Sequence, residues 1–248
     1  MAIVFKKPSS LSDTPMHYCP GCTHGIIHRI IAQVVDELDI EGKIVGMAPV
    51  GCSYNNYEYF RWDTIQAAHG RAPAVATGVK RSNPDNIVFT YQGDGDLAAI
   101  GTSEIVHAAT RGEKITTIFV NNAIYGMTSG QMAPTTLINQ VTATSPFGRK
   151  SETEGFPIKV SELLGTLEGA AFIERTSVNN IKNIKNTKKA IEKAFRVQMA
   201  NKGFSMVEIL SSCPTNWGMS PLKALKWVEE KMIEAYPLGN FKGKDMEV

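Results

Sequence analysis

A series of short β-branched, apolar runs separated by stretches of helical spacing constrains this chain more than any other feature. KIVGMAPV, NIVFTYQG, ITTIFVN, AAFIERTSV and GFSMVEIL read as strands that are mostly apolar on both faces. Strands of that kind belong in a sheet covered by helices on each side. Between them, THGIIHRIIAQVVDEL, GRAPAVATGVKRSN, LAAIGTSEIVHAATRG and IKNIKNTKKAIEKAF carry apolar residues along one helix face. The alternation predicts an α/β fold, a doubly wound and mainly parallel sheet formed by one domain over residues 1–248.

Composition narrows the function classes. With 248 residues, 43% hydrophobic and 20% charged, the chain is an ordinary globular sequence able to bury a large core. A net charge of +2 without a concentrated basic face argues against nucleic acid as a partner. No apolar run approaches the ~20 residues needed to span a bilayer, and MAIVFKKPSS has no basic segment followed by a long apolar one. A cytoplasmic location without membrane partners is the expectation. Two stretches break the alternation. Residues Gln131 to Ile158 mix Pro, Thr, Ser and Gly without a period, as a functional loop does. The tail from Trp217 to Val248 reads as one amphipathic helix, PLKALKWVEEKMIEAYP, lying on the domain or on a partner.

The chemistry concentrates where two strands end. NIVFTYQG runs into Gly93-Asp94-Gly95-Asp96 and then a helix, and ITTIFV runs into Asn121-Asn122. In a parallel sheet both sites fall at carboxyl ends of strands, where doubly wound folds bind ligands. Gly93 and Gly95 allow close backbone approach, and amides at a helix start favour phosphate. An Asp carboxylate, an Asn amide oxygen and a nearby carbonyl are hard ligands suited to Mg²⁺ carrying a diphosphate. This pairing resembles the signature of thiamine-diphosphate enzymes. The resemblance implies Asp94, Asn122 and the backbone oxygen of Ile124 as Mg²⁺ ligands.

The cysteines are Cys19, Cys22, Cys52 and Cys213, two of them in Cys19-Pro20-Gly21-Cys22. In a reducing compartment they are not expected to form structural disulfides. A thioredoxin-like dithiol would need a strand before the pair and would leave Cys52 and Cys213 unexplained. Zinc, an iron–sulfur cage and inert buried thiols stay open on residue types alone. Taken with NNAIYGMTSGQMAPTT, the GCS at Gly51–Ser53 and HGRAPAVATGVKRSNPD, in this order from about Tyr18 to about Met219, the chain resembles the β (thiamine-diphosphate-binding) subunit of a 2-oxoacid:ferredoxin oxidoreductase. That resemblance implies that Cys19, Cys22, Cys52 and Cys213 hold one 4Fe-4S cluster.

Further expectations follow from the resemblance. The implied reaction converts a 2-oxoacid, coenzyme A and oxidised ferredoxin to acyl-CoA, CO₂ and reduced ferredoxin. Gly93, Gly95, Asp96, Gly126 and Met127 are expected to line thiamine diphosphate, mostly through backbone. Gly51, Cys52 and Ser53 bring cofactor and cluster together. His69 is read as close to the cofactor, beside the plainer reading of a helix-start histidine with a structural hydrogen bond. His17, His24, His28 and His107 are read as structural or surface residues. No glutamate matches the cofactor-activating role, so no catalytic residue is assigned here and that glutamate is expected from a partner α subunit, with γ and ferredoxin-like δ subunits as further partners. The Gln131–Ile158 stretch is expected to close over that interface. Some relatives carry a lysine for the substrate carboxylate where this chain has Asn55. The motifs look most like the branched-chain 2-oxoisovalerate subgroup, ahead of 2-oxoglutarate and pyruvate. The alternative is a non-redox thiamine-diphosphate decarboxylase or carboligase with structural zinc.

Overall fold

The computed structural model describes residues 6–248; the first five residues of the amino-terminal stretch lie outside it. The strands are β1 (Ile44–Ala48), β2 (Asp63–Gln66), β3 (Ile87–Gly93), β4 (Thr116–Asn121), β5 (Ala170–Ser177), β6 (Phe204–Leu210) and β7 (Gly239–Lys242). They form one sheet in the order β2-β1-β3-β4-β6-β5-β7. Every neighbouring pair is parallel except β5 with β7. β1, β4 and β6 are buried along their whole length, which is why their sequences are apolar without alternation.

Helices cover both faces. Ile118 and Val120 of β4 pack into the layer that holds α1 (His24–Leu38) and α6 (Ile181–Met199). Phe119 points the other way, into the layer of α2 (Ala72–Ser82), α3 (Thr102–Thr110) and α5 (Val160–Gly165). The predicted strands all form. β2 and β7 were not expected: they read DTIQ and GNFK, sit at the two sheet edges and bury little, so they carry no apolar run to betray them.

The helix expected over LAAIGTSEIVHAATRG is broken. Residues Gly95–Ala99 form one wide π turn, and α3 starts only at Thr102. The cause is a close backbone crossing. A Cβ on Gly101 would lie 2.3 Å from the Asp96 carbonyl oxygen and 2.8 Å from that of Gly70. That crossing brings the loop after β2 against the turn after β3.

The Gln131–Ile158 stretch has almost no regular structure, with only the one-turn α4 (Ser151–Glu154) in it, yet it is anchored. Buried Arg149 donates to the carbonyls of Pro134, Thr136, Gly155 and Phe156 at 2.9, 2.7, 2.9 and 2.9 Å. A guanidinium tied at every edge holds the ends of the stretch together. After α7 (Pro214–Trp217), the tail helix forms as α8 (Pro221–Trp227), a π turn at Val228–Met232 and α9 (Ile233–Ala235). It lies on the domain itself, with Val228, Met232 and Tyr236 against Ala123, Leu137 and Leu210. No helix among the described residues is long and apolar enough to cross a membrane.

Candidate functional site

The carboxyl ends of β1, β2, β3 and β4 and their loops surround a cavity of about 370 Å³. Every cofactor residue expected from the sequence lines it: Gly51, Cys52, Ser53, His69, Gly93, Asp94, Gly95, Asp96, Asn122, Ile124, Gly126 and Met127. Gly95 sits where a Cβ would come within 2.8 Å of the Tyr125 ring, so the turn closes only without a side chain.

Asp94 is buried, and its two oxygens are treated differently. Oδ2 accepts the Asn122 backbone N–H at 3.2 Å and the Thr135 hydroxyl at 2.7 Å. Oδ1 faces the side-chain oxygen of Asn122 at 3.1 Å, and that oxygen lies 2.7 Å from the carbonyl of Ile124. That atom therefore has two oxygen neighbours, while the Ile124 N–H donates to it at 3.4 Å. Turned over, the Asn122 amide would instead donate to both neighbours. The same groups can therefore be satisfied by hydrogen bonds in the ion-free protein and offer three oxygens to a cation. Burial pushes the Asp94 carboxyl up to about 6, against the pull of its hydrogen bonds.

The turn that presents Asn122 and Ile124 is held in an uncommon shape. Ala123 has a φ of +56°, in the left-handed region. Its N–H donates to Asn121 Oδ1 at 3.1 Å, and its carbonyl accepts from Thr136 Oγ1 at 2.7 Å and Gln140 Nε2 at 3.0 Å. Asn121 is itself fixed by donating to buried Glu208 Oε1 at 2.8 Å. The aperiodic stretch thus serves the site from behind: Thr135, Thr136 and Gln140 all lie in it.

Asp96 lines the cavity, and its buried side chain is occupied by protein partners. It accepts from Gly70 N at 2.9 Å, Gln92 Nε2 at 2.7 Å and His69 Nδ1 at 2.6 Å. His69 is thereby oriented on the cavity wall, and its Nε2 has no hydrogen-bond partner among the described residues. His24, read as merely structural, also lines the cavity; its Nδ1 is 2.6 Å from the Tyr91 hydroxyl. Burial depresses it to about 4, so it stays neutral at pH 7. Nothing in its sequence context marked it, because the cavity wall arises only when α1 packs beside β3. Among the described residues no lysine, arginine or glutamate lines the cavity.

The cysteines gather at one end. Cys22 N–H donates to Cys19 O at 3.0 Å, and Gly21 takes a φ of +79°, so CPGC forms a tight turn. A Cβ on Gly21 would strike Pro221, which packs the turn against α8. Ser212 Oγ donates to Gly21 O at 2.9 Å, and the Thr23 and Ser211 hydroxyls pair at 2.6 Å, tying CPGC to the segment of Cys213. His17 Nε2 lies 2.9 Å from Cys52 O, tying it to GCS. All four cysteines are free. Burial pushes Cys22 and Cys52 up to about 12, and repulsion from the other thiols adds to it. Among the described residues no three His, Cys, Asp or Glu side chains are grouped tightly enough for a single metal ion.

The two centres touch at Gly126. A Cβ there would lie 3.1 Å from Cys52 Sγ, 3.5 Å from Cys213 Sγ and 3.8 Å from the Asn122 amide nitrogen.

Residues 45–209 match the family described as thiamine pyrophosphate enzyme, C-terminal TPP binding domain. The ketoisovalerate oxidoreductase subunit VorA of Methanothermobacter thermautotrophicus is 46% identical over 254 residues, covering 98% of this chain and 53% of that one. The chain thus spans about half the length of this relative. The 2-oxoglutarate synthase subunit KorB of Archaeoglobus fulgidus is 33% identical over 243 residues, covering 94% of this chain and 86% of that one. A solved 2-oxoglutarate:ferredoxin oxidoreductase from Magnetococcus marinus, with 2-oxoglutarate, coenzyme A and succinyl-CoA bound, superposes with a TM-score of 0.76 at 28% identity. The match covers 92% of this chain and 73% of that one.

Proposed function

Because the chain belongs to the 2-oxoacid:ferredoxin oxidoreductase subunits that carry the thiamine-pyrophosphate-binding domain, we propose that it acts as the thiamine-diphosphate-binding subunit of such an enzyme. Its reaction is the CoA-dependent oxidative decarboxylation of a 2-oxoacid, with electrons leaving through a 4Fe-4S cluster to ferredoxin. The observation that carries this reading is the contact at Gly126, where the cavity wall meets the Cys52 and Cys213 sulfurs without an intervening side chain. A cavity built for a decarboxylation alone has no need of that contact.

In this proposal Asp94 Oδ1, Asn122 Oδ1 and Ile124 O hold Mg²⁺, and the Gly93–Gly95 backbone receives the diphosphate. Thiamine diphosphate, when bound, supplies the carbon nucleophile and electron sink for loss of CO₂. Cys19, Cys22, Cys52 and Cys213 hold the cluster. Four free thiols, two of them meeting the cavity wall at Gly126, supply the ligand count of such a cluster and lie where electrons would leave the cavity. His69, oriented by Asp96, holds or passes a proton at Nε2 on the cavity wall. That no glutamate among the described residues lines the wall supports activation of the cofactor by a carboxylate from a partner subunit. The apolar substrate side chain of 2-oxoisovalerate suits a wall that includes Val50, Ile100 and Met127 and, among the described residues, offers no lysine or arginine to a second carboxylate. That ranks 2-oxoisovalerate ahead of 2-oxoglutarate, in line with the greater identity to the ketoisovalerate relative.

The test is anaerobic purification with partner subunits, assay of iron, sulfide and thiamine, then CoA-dependent viologen reduction with a panel of 2-oxoacids. Iron, sulfide and reduction strongest with branched-chain substrates are expected. Zinc without iron, and decarboxylation that leaves the dye oxidised, would overturn the proposal.

A further inference from the structure

Asn216 touches both centres. It lies in α7, directly after Cys213, on the side that faces the loop after β4. Its Nδ2 donates to Gly126 O at 2.8 Å and reaches Cys213 Sγ at 3.5 Å, within hydrogen-bond range for sulfur. The residue is held in place from the other side. Gly130 takes a φ of +90°, and a Cβ there would lie 3.2 Å from Asn216 Oδ1 and 3.3 Å from its Cβ. One amide group thus fastens the carbonyl of a cavity-wall glycine and donates to a sulfur of the neighbouring cysteine centre. Gly126 is the residue at which the two sites meet.

We propose that Asn216 is a positioning residue that sets the reduction potential of the cluster and locks its Cys213 edge to the cofactor loop. This rests on the iron–sulfur reading above. Reduction adds an electron to an already anionic cluster. An N–H aimed at a ligating sulfur stabilises the more negative state, so it raises the potential. The same amide NH2 group also holds Gly126 O, so the donor cannot swing away without releasing the cavity wall. The sequence around it, CPTNWG, shows only a helix start after a cysteine. The bridge exists because α7 and the loop after β4 pack together.

Asn216→Leu removes the donor at similar size, and Asn216→Asp replaces it with an anion of the same shape. Both are made in the complete complex and purified anaerobically. Iron, sulfide and thiamine contents are measured first, and the midpoint of the reduced-cluster EPR signal is then titrated. The expected result is a more negative midpoint in Asn216→Leu and a still more negative one in Asn216→Asp. An iron-replete Asn216→Leu protein with the parent's midpoint would overturn the inference. Should the leucine variant not retain iron, Asn216→Asp decides alone, since a midpoint at or above the parent's would overturn it equally. A parent complex without iron and sulfide would instead overturn the proposed function, and this inference with it.

Discussion

The oxygen site and the thiol site lie side by side but are built in opposite ways. Asp94, Asn122 and Ile124 follow directly on two adjacent parallel strands, where Gly93 is already in register with Val120. Forming the sheet forms the site. The thiols come from three segments that no shared strand register brings together: CPGC, GCS and the stretch after β6. They meet only because hydroxyls and one imidazole tie the segments, through Ser212, Thr23 and His17. The oxygen site is thus a property of the fold, and the thiol site a property of its loops. The first should form whether or not its ion is present, and the second should depend more on what fills it.

Cys213→Ser gives the largest expected effect and breaks the comparison cleanly if it is mistaken. It should abolish iron retention while leaving thiamine diphosphate binding to the assembled complex intact, as read by metal and thiamine analysis. Loss of both would mean that the two sites form together. Asp94→Asn tests the other half. Magnesium-dependent thiamine diphosphate binding should fall by roughly 100-fold or more, given what is lost when even outer partners of a metal ligand go. The ligand-free protein should at the same time become more stable at pH 7. Because burial holds the Asp94 carboxyl at about 6, above its ordinary value, ionising it costs folding energy. That stability is present at low pH and lost as pH rises through about 6. The asparagine variant avoids the loss, by roughly 3 kcal/mol, visible as a higher thermal midpoint at pH 7 that converges on the parent's near pH 4.

Legibility in the sequence follows the same division. The central strands announced themselves because both faces are buried, and the strand-end glycines, Asp94 and Asn122 followed from them. β2 and β7 stayed silent because an edge strand buries too little to need apolar residues. Thr135 was invisible for a different reason: it reaches Asp94 from an aperiodic stretch whose order depends on Arg149, and a single buried arginine carries no period. The break before α3 was hidden too, since Gly101 and Gly70 approach each other only in three dimensions. The cysteines were recognisable by motif, while the hydrogen bonds that gather them were not.

His69 offers the smallest effect and the sharpest question about the boundary between the two kinds of site. It sits on a loop, like the cysteines, yet it is fixed by Asp96 at the end of a strand, like the oxygen ligands. Asp96 keeps two other donors, Gly70 N and Gln92 Nε2, if the imidazole is removed. His69→Gln should therefore cost the fold only about 1 kcal/mol, the net value of one hydrogen bond. Thiamine diphosphate affinity should fall by about tenfold if Nε2 contacts the bound cofactor, since a bond to a charged group contributes about 1.5 kcal/mol or more. Isothermal titration of the assembled complex with Mg²⁺ present, beside a thermal melt of the same sample, separates the two effects. A melt that shifts with unchanged affinity would make His69 a strut that only positions the loop after β2. Unchanged stability with weakened binding would place the cavity's free imidazole nitrogen at the cofactor.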